Sequence, residues 1–175
     1  MRRKTTRSLF HALVVISALA FAYPVSASQT PEGQPLELPC VTDVTVEILG
    51  QAAPESGNGQ ALVAARLTIA PGGGFDAHTH PGTLTVWVDT GTLAFTLLDD
   101  VEMTVNRAPV DGDAATTEPV VIDEELVLNP GDWFVEEGMV HTAWNRGEEP
   151  TVVILSGLVD PELPLVQCVE DSAGM

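Results

Sequence analysis

The sequence predicts an all-β protein, a sandwich or barrel built from short strands. Eight or more short segments alternate apolar and polar residues, with a period typical of half-buried strands. Turns rich in glycine, proline and asparagine separate these segments. We find no amphipathic helical pattern and no internal repeat, so one β domain accounts for the chain.

The first 27 residues have the pattern of a signal peptide and are excluded from the fold. Four basic residues precede an apolar stretch at 9–22, and small residues lead to a cleavage point after Ala27. An uncleaved N-terminal anchor is the alternative. Cleavage predicts a secreted or extracytoplasmic protein, in the periplasm or at the cell surface, with no stable membrane anchor.

The mature chain is strongly acidic. It contains three basic residues against 25 acidic ones, which leaves a net charge of −22. Nucleic acid is excluded as a partner because no basic surface exists to displace its counterions. The acidic surface fits either an adaptation for solubility, for example in salt, or a cationic partner.

The pattern divides the mature chain into a flexible leader at 28–39 and a single domain at 40–170. A turn rich in glycine is expected at 71–74, where the second strand ends. The least regular part, 99–119, is acidic but lacks the spacing of a calcium loop, so we expect a solvated hairpin or loop there. Strands are predicted at 41–49, 62–69, 84–88, 93–98, 120–128, 133–135, 140–144, 151–155 and 158–159.

The two cysteines, Cys40 and Cys168, are expected to form a disulfide in an exported protein. The bond would tie the start of the domain to its end. Closing so long a loop stabilises the fold by about 4–5 kcal/mol in the chain-entropy model. Two free thiols are the alternative.

The histidines carry the main functional signal. The mature chain has only three, and two of them, His78 and His80, are two residues apart after the glycine run. On an extended strand, residues i and i+2 face the same side, so both imidazoles point to one place. The third, His141, follows a second glycine turn. Three converging imidazoles would bind a divalent transition metal.

Two segments resemble the motifs of the cupin family. Gly72-x5-His78-x-His80-x10-Gly91 is similar to the first, Gly-x5-His-x-His-x3,4-Glu-x6-Gly. The segment from Gly131 through Gly138-Met139-Val140-His141 to Asn145 is similar to the second, Gly-x5-Pro-x-Gly-x2-His-x3-Asn. The resemblance implies a double-stranded β-helix, the cupin jelly-roll barrel. It also implies that His78, His80 and His141 bind a metal in the barrel mouth.

The chain departs from these motifs in three ways. Leu84 stands where the family has a glutamate ligand, so the expected carboxylate is missing. The second motif is one residue short, and Glu136 stands where proline is expected. The long span between the motifs marks 99–119 as an insertion. A three-histidine site without the carboxylate would keep the full charge of the ion and favour an anionic ligand or hydroxide.

Three polar residues are candidates for a supporting role beside the metal. Asp76 shares the strand and the expected face of His78, and Glu136 could approach the mouth; each could instead be a turn residue. Asn145 is either a hydrogen-bonding group near the ligands or the end of its strand.

The sequence leaves two functions open. One is a metal-dependent, dioxygenase-like oxidoreductase, with iron, manganese, nickel, copper or zinc at the three histidines. The other is a non-enzymatic cupin that binds a small molecule with or without metal. A small-molecule ligand is expected in both. Trp87 lies on the outward parity of its strand, which suits either a homodimer interface or ordinary packing.

Overall fold

We describe residues 33–110 and 112–169 from a computed structural model. The predicted signal peptide and the residues that follow it as far as 32 lie outside the described residues. A short 3₁₀ helix, Glu55–Gly57, interrupts an otherwise β chain. The strands are β1 Gln34–Pro35, β2 Val41–Ala52, β3 Ala61–Thr79, β4 Gly82–Thr90, β5 Leu93–Leu97, β6 Thr104–Arg107, β7 Thr116–Pro119, β8 Glu125–Leu128, β9 Trp133–Glu137, β10 His141–Trp144, β11 Thr151–Val159 and β12 Gln167–Cys168.

The antiparallel strands form two four-stranded layers. The first part of β3, residues 61–69, pairs with β11, which pairs with β4, which pairs with β9. The second part, residues 74–79, pairs with β10, which pairs with β5, which pairs with β8. This order is that of a jelly roll, so the predicted double-stranded β-helix is confirmed.

β3 belongs to both layers because it continues through the glycine run. The expected end of the strand at 71–74 is therefore wrong: the chain bends there and stays extended. The bend needs residues without a side chain. A Cβ atom at Gly73 would lie 2.8 Å from the Thr42 carbonyl oxygen, and one at Gly74 would overlap the Ala143 carbonyl oxygen.

The core lies between the two layers. Alternate residues of β3, β4, β9 and β11 point inward, which is why the period-two pattern was visible in the sequence. Leu84, which replaces the glutamate of the family motif, is fully buried in this core. Trp87 points outward from the same strand and is 43% exposed.

The insertion at 99–119 contains the hairpin β6–β7, in line with the hairpin alternative for this segment. It extends the first layer because Asn106 of β6 pairs with Trp133 of β9. Arg107 ends β6 and bonds Glu118 of β7 and Asp132 at the start of β9, each at 2.6 Å. The ion pair between Arg107 and the buried Asp132 therefore fixes the insertion to the barrel.

Both ends of the described domain are fixed to β3. β1 lies within the segment expected to be a flexible leader and pairs with β2, which runs along β3. β12 pairs with β3 at His78 and Thr79. The predicted disulfide between Cys40 and Cys168 is present, with the two Cα atoms 5.6 Å apart. Among the described residues there is no helix long and apolar enough to cross a membrane.

Candidate metal centre

The three predicted histidines meet inside the barrel. His78 and His80 come from the end of β3, and His141 comes from the start of β10, its hydrogen-bonded neighbour. All three are at most 5% exposed. One ring nitrogen of each lies within 4.8 Å of the others. The three histidines that the sequence predicts as ligands therefore come from two adjacent strands and meet at one place.

Main-chain carbonyl groups hold the three rings in one tautomer. The Nδ1 atoms of His78, His80 and His141 donate to the carbonyl oxygens of Asp76, Leu165 and Met139, at 2.8, 2.6 and 3.2 Å. A carbonyl only accepts, so the proton of each neutral ring must be on Nδ1. Each Nε2 is then a free lone pair, which is the form that binds a metal.

Burial keeps these imidazoles neutral. It lowers the pKa of His78 and of His141. It lowers the pKa of His80 to about 3, and the nearby His78 adds to this effect. Desolvation disfavours the imidazolium ion in each case. The rings therefore do not need to lose a proton to bind a metal at neutral pH.

Glu136 lies closer to the histidines than its sequence position indicated. It lies on the inner face of β9, is 1% exposed, and faces the histidines. Its Oε1 lies 3.4 Å from Nε2 of His80 and its Oε2 lies 3.5 Å from Nε2 of His141. Burial raises the pKa of Glu136 to about 8. Its position is not that of a turn residue.

Neither of the other two candidates places its side chain beside the histidines; for Asn145 this is the end-of-strand alternative. The Asp76 side chain is exposed, because two residues of β3, Asp76 and Ala77, face the single residue Thr142 of β10, and this bulge breaks the alternation between Phe75 and His78. Only its carbonyl supports His78. Asn145 is buried but bonds the main chain of Ile69, Gly147 and Glu149, which makes it the end-of-strand residue.

The C-terminal segment also contributes, and we did not predict this from the sequence. The Leu165 carbonyl holds His80, and β12 pairs with the strand that carries His78. The disulfide at Cys168 fixes this segment close to the site. The only signal was the position of that cysteine, which does not reveal which carbonyl faces the histidines.

A cavity of about 30 Å³ adjoins the histidines. This is room for about two water molecules. Its walls are mostly apolar side chains of both layers, among them Leu67, Phe95 and Phe134.

The donor set fits a divalent cation. Three imidazoles converge in a buried space, and the Glu136 carboxyl group lies beside two of them, those of His80 and His141. The described residues place no hydrogen-bond donor on its oxygens. Lone pairs without a donor repel one another and are satisfied by a cation or by added protons. Imidazole with carboxylate suits zinc, iron, manganese, nickel and copper.

No protein-family model matches the chain, and no curated protein matches its sequence. Several solved structures have a similar chain course. A cupin-like protein of Thermotoga maritima is 17% identical, with 78% of this chain and 84% of that chain covered and a TM-score of 0.48. KdgF from Halomonas sp. is 18% identical, with 75% of this chain and 91% of that chain covered and a TM-score of 0.48. The polyketide cyclase RemF from Streptomyces resistomycificus is 18% identical, with 81% of this chain and 82% of that chain covered and a TM-score of 0.46.

Proposed function

We propose that this protein, whose fold is that of the cupin superfamily, is an exported protein that binds one divalent transition metal ion through His78, His80 and His141. The observation that supports this most directly is the orientation of the rings. Each Nδ1 is engaged by a carbonyl, so each Nε2 is left for a shared ligand. A bound ion would supply Lewis-acid or redox chemistry to a small molecule at its open positions.

Export is supported by the disulfide. Bonds of this kind persist in oxidising compartments and are rare in the cytosol. Cys40 and Cys168 are bonded and lie at the two ends of the domain. The predicted signal peptide gives the same destination. Fractionation of the native host should therefore find the mature chain outside the cytoplasm, starting after Ala27.

Elemental analysis of protein purified from its native host tests the metal site. We expect about one transition metal ion per chain, as in other mononuclear sites. The variants His78→Ala and His141→Ala should lose it. Thr142→Ala, next to His141 on β10, is the matched control and should retain it. Wild-type protein with no more metal than the histidine variants would refute the metal site.

An oxygen-dependent oxidoreductase is the second candidate, and the cavity favours it. The cavity is lined largely by apolar side chains and has room for a molecule about the size of two waters. Cavities with mostly apolar walls admit small apolar gases such as dioxygen. Oxygen consumption by the iron-loaded protein, measured with candidate ligands in turn, distinguishes an enzyme from a binding protein. Ligand binding without oxygen consumption would favour the non-enzymatic alternative.

A further inference from the structure

We propose that Glu136 is the fourth ligand of the metal ion, so that β9 supplies the carboxylate that β4 lacks. The inference rests on the proposed metal site and adds a ligand to it. It concerns a residue of this chain that stands at the proline position of the family motif. The site would then have three nitrogen ligands and one oxygen ligand.

The distances support a shared ion. Glu136 reaches His80 with one oxygen and His141 with the other, at 3.4 and 3.5 Å. These separations are longer than a good hydrogen bond between a nitrogen and an oxygen, which is about 2.9 Å. Two ligand atoms about 2.1 Å from a tetrahedral ion are about 3.4 Å apart. The carboxylate is therefore spaced from the two imidazoles as a co-ligand would be.

No fixed cation compensates Glu136. Its two oxygens are buried and have no hydrogen-bond partner among the described residues. Every arginine of the mature chain is engaged elsewhere: Arg66 with Glu47, Arg107 with Glu118 and Asp132, and Arg146 with Glu125. A buried carboxylate without a partner is energetically unfavourable, which makes it a poor structural element. An ion at the histidines would remove this cost.

The two departures from the family motif now have one explanation. Leu84 and Glu136 are direct partners across the β4–β9 ladder, and both side chains point into the barrel. The position where the family motif has its glutamate and the position of Glu136 are thus directly opposite each other on neighbouring strands. In this chain the carboxylate therefore comes from β9, and the facing position on β4 holds a buried leucine.

Cobalt(II) is a suitable probe because its visible absorption changes with the number and type of ligands. Purified protein is stripped with a chelator and titrated with Co²⁺ as wild type, as Glu136→Gln and as Glu137→Gln. Glu137 is the matched control, because it is the next residue on β9 and points to solvent. We expect Glu136→Gln to weaken Co²⁺ binding by more than about 100-fold, beyond the usual effect of an outer-shell partner. Its visible spectrum should also change, and Glu137→Gln should do neither.

Thermal melting of the stripped proteins controls for misfolding. Glu136→Gln should melt no lower than wild type, since the amide replaces an unpaired carboxyl group. If it does melt lower, the spectrum of Glu136→Asp, which keeps the carboxylate, decides whether a ligand or the fold was lost. Wild type and Glu136→Gln with equal affinity and equal spectra would overturn this inference and leave the three-histidine site standing. Wild type that binds no Co²⁺ would overturn both.

Discussion

Asp132 and Glu136 are two buried carboxylates only four residues apart, and their surroundings are opposite. Asp132 accepts hydrogen bonds from the amides of Asn129 and Ala108, each at 2.8 Å, and from Arg107 at 2.6 Å. Glu136 has no hydrogen-bond donor among the described residues. Burial alone would raise the pKa of Asp132, but these bonds hold it below its usual value, whereas burial raises the pKa of Glu136 to about 8.

The difference separates a carboxylate that the fold satisfies from one that has no partner among the described residues. Asp132 connects the turn before β9 to the inserted hairpin, and its charge is fully used by the fold. Glu136 has no such partner, so its charge must be relieved either by a proton or by a bound cation. A buried acidic residue is thus interpretable only through its partners, since both residues are almost equally inaccessible.

The largest expected effect compares the two residues directly in metal-free protein at pH 7. Asp132→Asn should lower the free energy of unfolding by about 3 kcal/mol, because hydrogen bonds to a charged group are lost. Glu136→Gln should instead raise it, by up to about 3 kcal/mol, because at pH 7 the wild-type carboxyl group must keep a proton in the folded state that the unfolded chain has lost. Urea unfolding measures both. Equal losses would remove the distinction between the two carboxylates.

Exchanging the two ladder partners sharpens the comparison. Glu136→Leu alone should weaken Co²⁺ binding by more than about 100-fold, and adding Leu84→Glu should restore it to within about tenfold. The exchange keeps the side-chain volume of the core nearly constant. Isothermal titration with Co²⁺ measures both variants. A folded double variant that binds no more tightly than the single one would show that position 84 does not reach the site.

A third comparison is the pH dependence of the stability of the metal-free protein. The folded carboxyl group of Glu136 keeps its proton up to about pH 8, and the unfolded one loses it near 4.5. Stability relative to Glu136→Gln should therefore fall as the pH rises through this window and then level off. Asp132 has the opposite sign: its contribution is present above pH 3.8 and is lost as the pH falls further. Unfolding curves between pH 3 and 9 would test both signs.

The all-β fold class and the convergence of His78 and His80 were readable because they depend on local periodicity. Inward and outward residues alternate along β4, β9 and β11, and that alternation is visible in any single strand. The spacing of His78 and His80 likewise holds on an extended chain. The same rule was wrong for Asp76, because the bulge on β3 is created by pairing with β10 and leaves no mark in the local pattern.

By itself, the sequence determined an all-β sandwich or barrel, the disulfide and the residues that can bind a metal, since periodicity and residue chemistry act over a few positions; the jelly roll followed from the resemblance to the cupin motifs. Only the tertiary structure decided how the site is assembled. It brought Glu136 to His80 from β9, a strand that begins more than 50 residues after His80, and it set Leu84 beside Glu136. It also supplied the Leu165 carbonyl from the end of the domain. Contacts between strands depend on ladder register, and register is set by the packing of the whole barrel.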